Sequence, residues 1–239
     1  MEAPILSVEE LTKNFGGLVA VNNLTFNVKE HEALGLMGPN GAGKTTVFNL
    51  IYGVYPPTSG KIVFKDGTIN GLPPHKVCQL GIARTHQIPR PFSTMDVKTN
   101  LMVAAMYGRG LAGAEAKKTV DEVLELSELT VQRDKIAKDL TLLDLKRLEL
   151  ARALSTKPQL VLLDEIAGGL TEEEIPELMK ILRTLRETGI TIILIEHVMT
   201  VLLKAVERVV VLNEGKKLFE GGPDEVLKTQ SVVEAYFGS

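Results

Sequence analysis

Short, dense apolar runs alternate along this chain with stretches of helical period, the pattern of a parallel sheet covered by helices. The runs predict strands at residues 33–37, 62–65, 82–86, 160–163, 190–195 and 208–212. Three of these, ALGLM, LVLL and ITIILI, are apolar on both faces, as central parallel strands are. Helices are predicted between them. One runs from near Lys44 to about Val54. Another runs from Thr171, where TEEE supplies a capping hydroxyl and an acidic first turn, to a C-terminal cap at Gly189. Pro176 falls close enough to that start to be accommodated with local distortion.

Two regions depart from the alternation. The first sixty or so residues, with AVNNLTFNV and GKIVFKDG, read as antiparallel strands turning at Asn22-Asn23 and Asp66-Gly67. Residues 88–158 open with PRP, contain GRGLAG and show helical patterns at 101–107, 115–126 and 141–154. They read as a helical lobe inserted between two strands of the core sheet. From Arg147 onward the last of these reads as an amphipathic helix.

Composition narrows the class. The chain has 239 residues, 44% hydrophobic and 24% charged, enough for one large domain or two lobes with a substantial core. A formal net charge of −3, with no run of like charges, argues against a nucleic-acid binder. The single cysteine, Cys78, excludes an internal disulfide and suits a reducing compartment. MEAPILSVEE carries no basic leader followed by an apolar block, and the longest apolar runs fall far short of the roughly 20 residues that span a bilayer. The expectation is a protein in the cytosol, or one held at a membrane by something else.

The strongest chemical signal is GPNGAGKTT, spanning Gly38, Pro39, Asn40, Gly41, Ala42, Gly43, Lys44, Thr45 and Thr46. It matches G-x-x-x-x-G-K-[ST] and lies between an apolar strand and a helix, the context the motif requires. Its glycines let successive amides point at phosphate oxygens, and the helix N-terminus adds its dipole. Lys44 supplies a point charge to the β- and γ-phosphates, and the Thr45 hydroxyl a ligand for Mg²⁺. The second signal is LVLLDE, an apolar strand ending in Asp164 and Glu165 at the sheet edge where ligands bind in α/β folds. Asp164 is the candidate for holding Mg²⁺, directly or through water, and Glu165 the candidate general base. His197 ends another apolar strand on that edge and is a candidate for a γ-phosphate or water contact. Gln87 follows a strand and can touch both Mg²⁺ and the lytic water. Phe15, beside two glycines, can stack on adenine or serve as a minor core aromatic.

In combination and order, Phe15, GPNGAGKTT, Gln87, LVLLDE, the AGGL that follows it, and His197 resemble the nucleotide-binding ATPase subunits of ABC transporters, over the whole chain. GIARTHQ, RLELARAL, IEHVM and the ending VVEAYFGS resemble the branched-chain amino acid import subfamily. The resemblance implies an α/β fold: a RecA-like P-loop NTPase core with an N-terminal antiparallel β subdomain, formed by residues 1–87 and 159–239. Residues 88–158 would be the helical signature subdomain. It implies ATP and Mg²⁺ as cofactors and a second ATPase subunit, in a homodimer or heterodimer facing head to tail. It further implies a transmembrane permease docked near the Gln87 loop and the lobe, a separate solute-binding protein, and a peripheral position on the cytoplasmic side of the membrane. Gly168-Gly169-Leu170-Thr171 would link the two sites.

The chain departs from the family pattern at three places. Ile166 replaces the usual proline after the glutamate, and His86 precedes Gln87 where an aromatic is common. The signature, normally L-S-G-G-Q or L-S-x-G-Q, is here Leu140, Thr141, Leu142, Leu143 and Asp144. These residues would face the partner's ATP. Thr141 keeps the hydroxyl, the Leu143 side chain is expected to obstruct the close approach that glycine allows, and an inward Asp144 would weaken phosphate binding. Thr141-x-x-Asp144 also resembles a capping box starting the next helix. The leading reading is an ATP-hydrolysing subunit of an importer for branched-chain amino acids or related small solutes; the alternatives are a nucleotide-binding regulatory subunit with little turnover and the ATPase of an exporter.

Overall fold

The computed structural model describes residues 3–237; Gly238-Ser239 of the terminal VVEAYFGS motif and the first two residues lie outside the described residues. In chain order the strands are β1 (Leu6–Phe15), β2 (Leu18–Val28), β3 (Ala33–Met37), β4 (Ser59–Phe64), β5 (Gly67–Thr68), β6 (Ile82–Arg84), β7 (Leu160–Asp164), β8 (Thr191–Ile195), β9 (Arg208–Asn213) and β10 (Lys216–Gly221). The helices are α1 (Lys44–Ile51), α2 (Pro74–Leu80), α3 (Val97–Val103), α4 (Gly113–Leu126), α5 (Leu142–Leu154), α6 (Ile175–Glu187), α7 (Met199–Ala205), α8 (Pro223–Val226) and α9 (Gln230–Phe237).

The central sheet runs β10-β9-β3-β8-β7-β6, parallel except for β10 at one edge. Its strands are apolar at successive positions because each face covers a different core. Leu34, Leu36, Leu160, Leu162, Ile193 and Ile195 pack with α1 and the antiparallel sheet. Ala33, Met37, Val161, Leu163, Ile192 and Leu194 pack with α5, α6, α7 and the helical insertion. The side-chain period of two thus sorts one strand between two layers. Gly35 lets α7 lie close: a Cβ there would come within 2.9 Å of Leu202.

The second sheet, β2-β1-β4-β5, is antiparallel. Its first hairpin turns at Gly16-Gly17, not at Asn22-Asn23. Those asparagines lie within β2, where Asn23 takes a φ of 52° and its amide donates to Thr12 Oγ1 at 3.0 Å. Asparagine tolerates left-handed backbone in an irregular pairing as well as in a turn, so the dipeptide misled. The second turn falls near the expected place, with Phe64 paired to Gly67.

Two helices differ from expectation. Thr171 and Glu174 do make a reciprocal cap, Thr171 N to Glu174 Oε2 at 2.9 Å and Glu174 N to Thr171 Oγ1 at 3.3 Å, but in a turn preceding α6, which starts at Ile175 with Pro176 in its first turn. Helix α5 is not amphipathic. Lys146, Arg147 and Glu149 are buried along with its leucines, because the helix lies between the sheet and the rest of the insertion. The insertion, between β6 and β7, consists of α3, a π-helical turn at Ala104–Gly108, α4 and α5. Among the described residues no helix is long and apolar enough to cross a membrane.

Candidate functional site

The C-terminal ends of β3, β6, β7 and β8 bring the candidate residues to one sheet edge. After β3, the chain wraps through Gly38 to Gly43 and enters α1 at Lys44. Gly38 (φ 146°) and Gly43 (φ 103°) are required by both backbone and space: a Cβ would fall 2.2 Å from the Leu212 carbonyl oxygen at the first and 2.5 Å from that of Ala20 at the second. Gly41, at φ 81°, has nothing within 4 Å of its Cβ position and faces open space. Lys44 lies back along the loop, its ammonium donating to the carbonyls of Gly38 at 2.6 Å and Pro39 at 3.0 Å. Burial lowers its pKa from the usual lysine value, opposed by the charges of Glu165 and Asp164.

This loop floors a pocket of ≈ 590 Å³ lined by Asn40, Gly41, Ala42, Gly43, Lys44, Thr45 and Thr46, with Phe15, Glu165, His197 and Glu214 around the rim. The Thr45 side is exposed to the pocket. Phe15 meets Tyr55 edge to face at 5.3 Å, with the Lys13 ammonium 5.0 Å from its ring centre. It stands at the end of β1, in the pocket wall rather than in the core.

Glu165 is held at the pocket mouth by two side chains. Gln87 Nε2 donates to one of its carboxylate oxygens, and His197 Nε2 lies 2.6 Å from the other. Its backbone is left-handed, φ 48°, in a non-glycine residue; such strain collects at functional sites. Asp164 is buried beside it, paired with Arg84 at 2.8 Å. Arg84 also donates to Asn49 Oδ1 on α1 at 2.6 Å, so β6, β7 and the helix after the loop are tied together. Among the described residues no group of three or more His, Cys, Asp or Glu could hold a metal alone. One carboxylate, one exposed hydroxyl and room for phosphate oxygens nevertheless fit Mg²⁺, which takes few protein ligands when it arrives with a nucleotide.

The signature residues lie apart from this pocket, at the start of α5. Thr141 caps the helix, its Oγ1 accepting from the Asp144 amide at 3.2 Å. The Asp144 carboxylate does not complete a capping box. It is buried against Arg147 at 3.4 Å, and Arg147 also pairs with Glu128 at 3.0 Å and Glu177 at 2.6 Å. Leu143 is turned in as well; the side chain that projects is Leu142, 42% exposed and packed near Gly169.

Four contacts around the candidate site had no signal in the motifs. Arg84 neutralises Asp164, and Lys146 Nζ reaches the main chain of Gln87 and Glu165. Glu196, whose pKa burial raises, accepts from the Ala167 amide at 2.6 Å and so ties the His197 loop to AGGL. Tyr236, in α9, accepts from the Gly38 amide at 2.6 Å.

Comparison with known proteins bears on the family and the fold. The ABC transporter family model matches residues 21–168. The high-affinity branched-chain amino acid transport ATP-binding protein LivG of Salmonella typhimurium is 37% identical over 253 aligned positions, covering 100% of this chain and 99% of LivG. A solved ATP-binding cassette of an ABC transporter in its ADP conformation superposes with a TM-score of 0.91 at 28% identity, covering 100% of both chains. A dimeric cassette in a post-hydrolysis state, bound to ADP and Pi, superposes at 0.80 with 25% identity, covering 91% of this chain and 98% of the other.

Proposed function

Because the chain belongs to the ABC transporter family of ATPases, we propose that it is the ATP-hydrolysing subunit of an importer for branched-chain amino acids or related small solutes. The likeness to LivG supports the solute class. One observation carries the hydrolytic reading: Gln87 and His197 both hold the Glu165 carboxylate at the mouth of the P-loop pocket. A subunit that only bound nucleotide would have no use for that convergence.

In this reading the amides of Gly41 to Thr46 cradle phosphate oxygens, and Lys44 leaves the Gly38 and Pro39 carbonyls for the β- and γ-phosphates. Thr45 and Asp164 would hold Mg²⁺, which when bound would offset phosphate charge. Phe15 lies against the base. Glu165 accepts the proton of the attacking water, with Gln87 and His197 fixing its orientation. Thr141 and Leu142 face the nucleotide of a second subunit, consistent with the dimeric cassette that the chain resembles. The lobe, residues 88–158, and the Gln87 loop face a permease at the cytoplasmic side of the membrane.

The test is Mg·ATP turnover by the assembled transporter. Wild type should exceed a Lys44→Ala complex, and Glu165→Gln should bind ATP, lose turnover and trap a closed dimer. A wild-type complex no faster than Lys44→Ala would overturn the reading.

A further inference from the structure

Helix α5 sends one side chain out of the insertion and into the catalytic centre. Lys146, 4% exposed, donates its ammonium to the carbonyl oxygens of Gln87 at 2.6 Å and Glu165 at 3.1 Å. These are the two residues whose own side chains meet over the pocket. Three positions later Glu149, also buried, accepts from the amides of His86 at 3.1 Å and Arg90 at 3.3 Å. The i,i+3 spacing puts both groups on one face of α5. The loop carrying Gln87 is therefore gripped through its carbonyl by a cation and through flanking amides by an anion.

The second contact is the more telling. Glu165 keeps a left-handed backbone, which persists only where the surroundings enforce it. Its amide donates to Ile195 O at 2.9 Å, and its carbonyl accepts from Gly168 N at 3.2 Å as well as from Lys146. A buried ammonium is costly unless well partnered, and burial lowers the Lys146 pKa while the charges of Glu196, Glu165 and Glu149 oppose that shift. An aliphatic residue could fill the same space without that cost. What it could not do is hold two main-chain oxygens from separate loops together.

We propose that Lys146 is a positioning residue for ATP hydrolysis, one that fixes the Glu165 carboxylate and the Gln87 amide relative to each other through their main chains. Helix α5 then cannot shift against the core without moving the base. The inference rests on the ATPase reading above.

The experiment compares Lys146→Met, Lys146→Arg and Glu149→Gln with wild type in the assembled transporter, by steady-state Mg·ATP turnover and fluorescent-nucleotide affinity. Lys146→Met should keep nucleotide affinity within about twofold and lose kcat by about 10- to 100-fold, the scale expected when reacting groups are misplaced by an ångström or less. Lys146→Arg, which can still donate to both carbonyls, should recover most of that loss. Should Lys146→Met fail to fold, Glu149→Gln carries the test, with kcat lowered and affinity kept. Unchanged kcat, or affinity and kcat falling by the same factor, overturns the proposal. A wild-type complex without turnover above Lys44→Ala would instead overturn the ATPase reading.

Discussion

Arg84 at the end of β6 and Asp164 at the end of β7 form an ion pair of 2.8 Å, their side chains only 6% and 7% exposed. The carboxylate assigned to Mg²⁺ thus already has a counter-ion, itself tied to Asn49 on α1. Removing one partner of a buried pair strands the other charge, at a cost of about 3–5 kcal/mol. Arg84→Ala should lose stability on that scale in the nucleotide-free protein. Mg·ATP should raise the melting temperature of the variant more than that of wild type, by giving Asp164 a cation again. Urea unfolding and melting curves with and without Mg·ATP check both; equal stability without nucleotide would contradict the role given to Arg84.

The altered signature leads to a second expectation. Asp144 faces Arg147 rather than the surface where a partner's ATP would lie. Asp144→Ala should therefore leave the apparent ATP affinity of the dimer unchanged and lower stability by about 1–3 kcal/mol, since Arg147 loses its buried carboxylate partner and keeps only the more exposed Glu128 and Glu177. Leu142→Gly, which trims the exposed side chain, should alter the partner site instead. Tighter ATP binding by Asp144→Ala would show that its charge does reach phosphate.

The parts of the site legible in the sequence share one property. Gly38 to Thr46, Asp164, Glu165 and His197 each lie at or just past the end of an apolar strand, and parallel topology carries the C-termini of β3, β7 and β8 to one edge. Local pattern plus one topological rule was enough. Arg84, Lys146, Glu149 and Glu196 were not legible because their partners lie far along the chain: 80 residues separate Arg84 from Asp164 and 59 separate Lys146 from Gln87. Polar residues on α5 read as a solvated face until the neighbouring layers are known to close over them. Asn22-Asn23 failed for a different reason, since the same left-handed preference serves a turn and an irregularity within a strand.

Lys44 sets a pH dependence. Burial lowers its pKa below the ordinary 10.5, while bound phosphate would raise it again. Nucleotide affinity should be flat near neutral pH and fall as pH rises through the lowered value, because the free protein then loses the ammonium. In the nucleotide-free protein the sign reverses. Between the lowered value and 10.5 the unfolded chain binds more protons than the folded one, so this group's contribution to stability rises with pH. Titrations of a fluorescent nucleotide across this range should show the decline in wild type and not in Lys44→Ala.

Tyr236 ties the C-terminal helix to the first residue of the phosphate loop. Its hydroxyl oxygen accepts from the Gly38 amide at 2.6 Å, at a glycine packed so tightly that a Cβ would fall 2.2 Å from the Leu212 carbonyl oxygen. Tyr236→Phe keeps the ring and removes the acceptor, leaving a part-buried amide unmatched at a cost of about 1–3 kcal/mol. The loss should be local first: hydrogen exchange at Gly38 should speed up before global unfolding, and nucleotide affinity should weaken several-fold as the loop loosens. Exchange at Gly38 matching wild type in the phenylalanine variant would mean that the loop is held without α9.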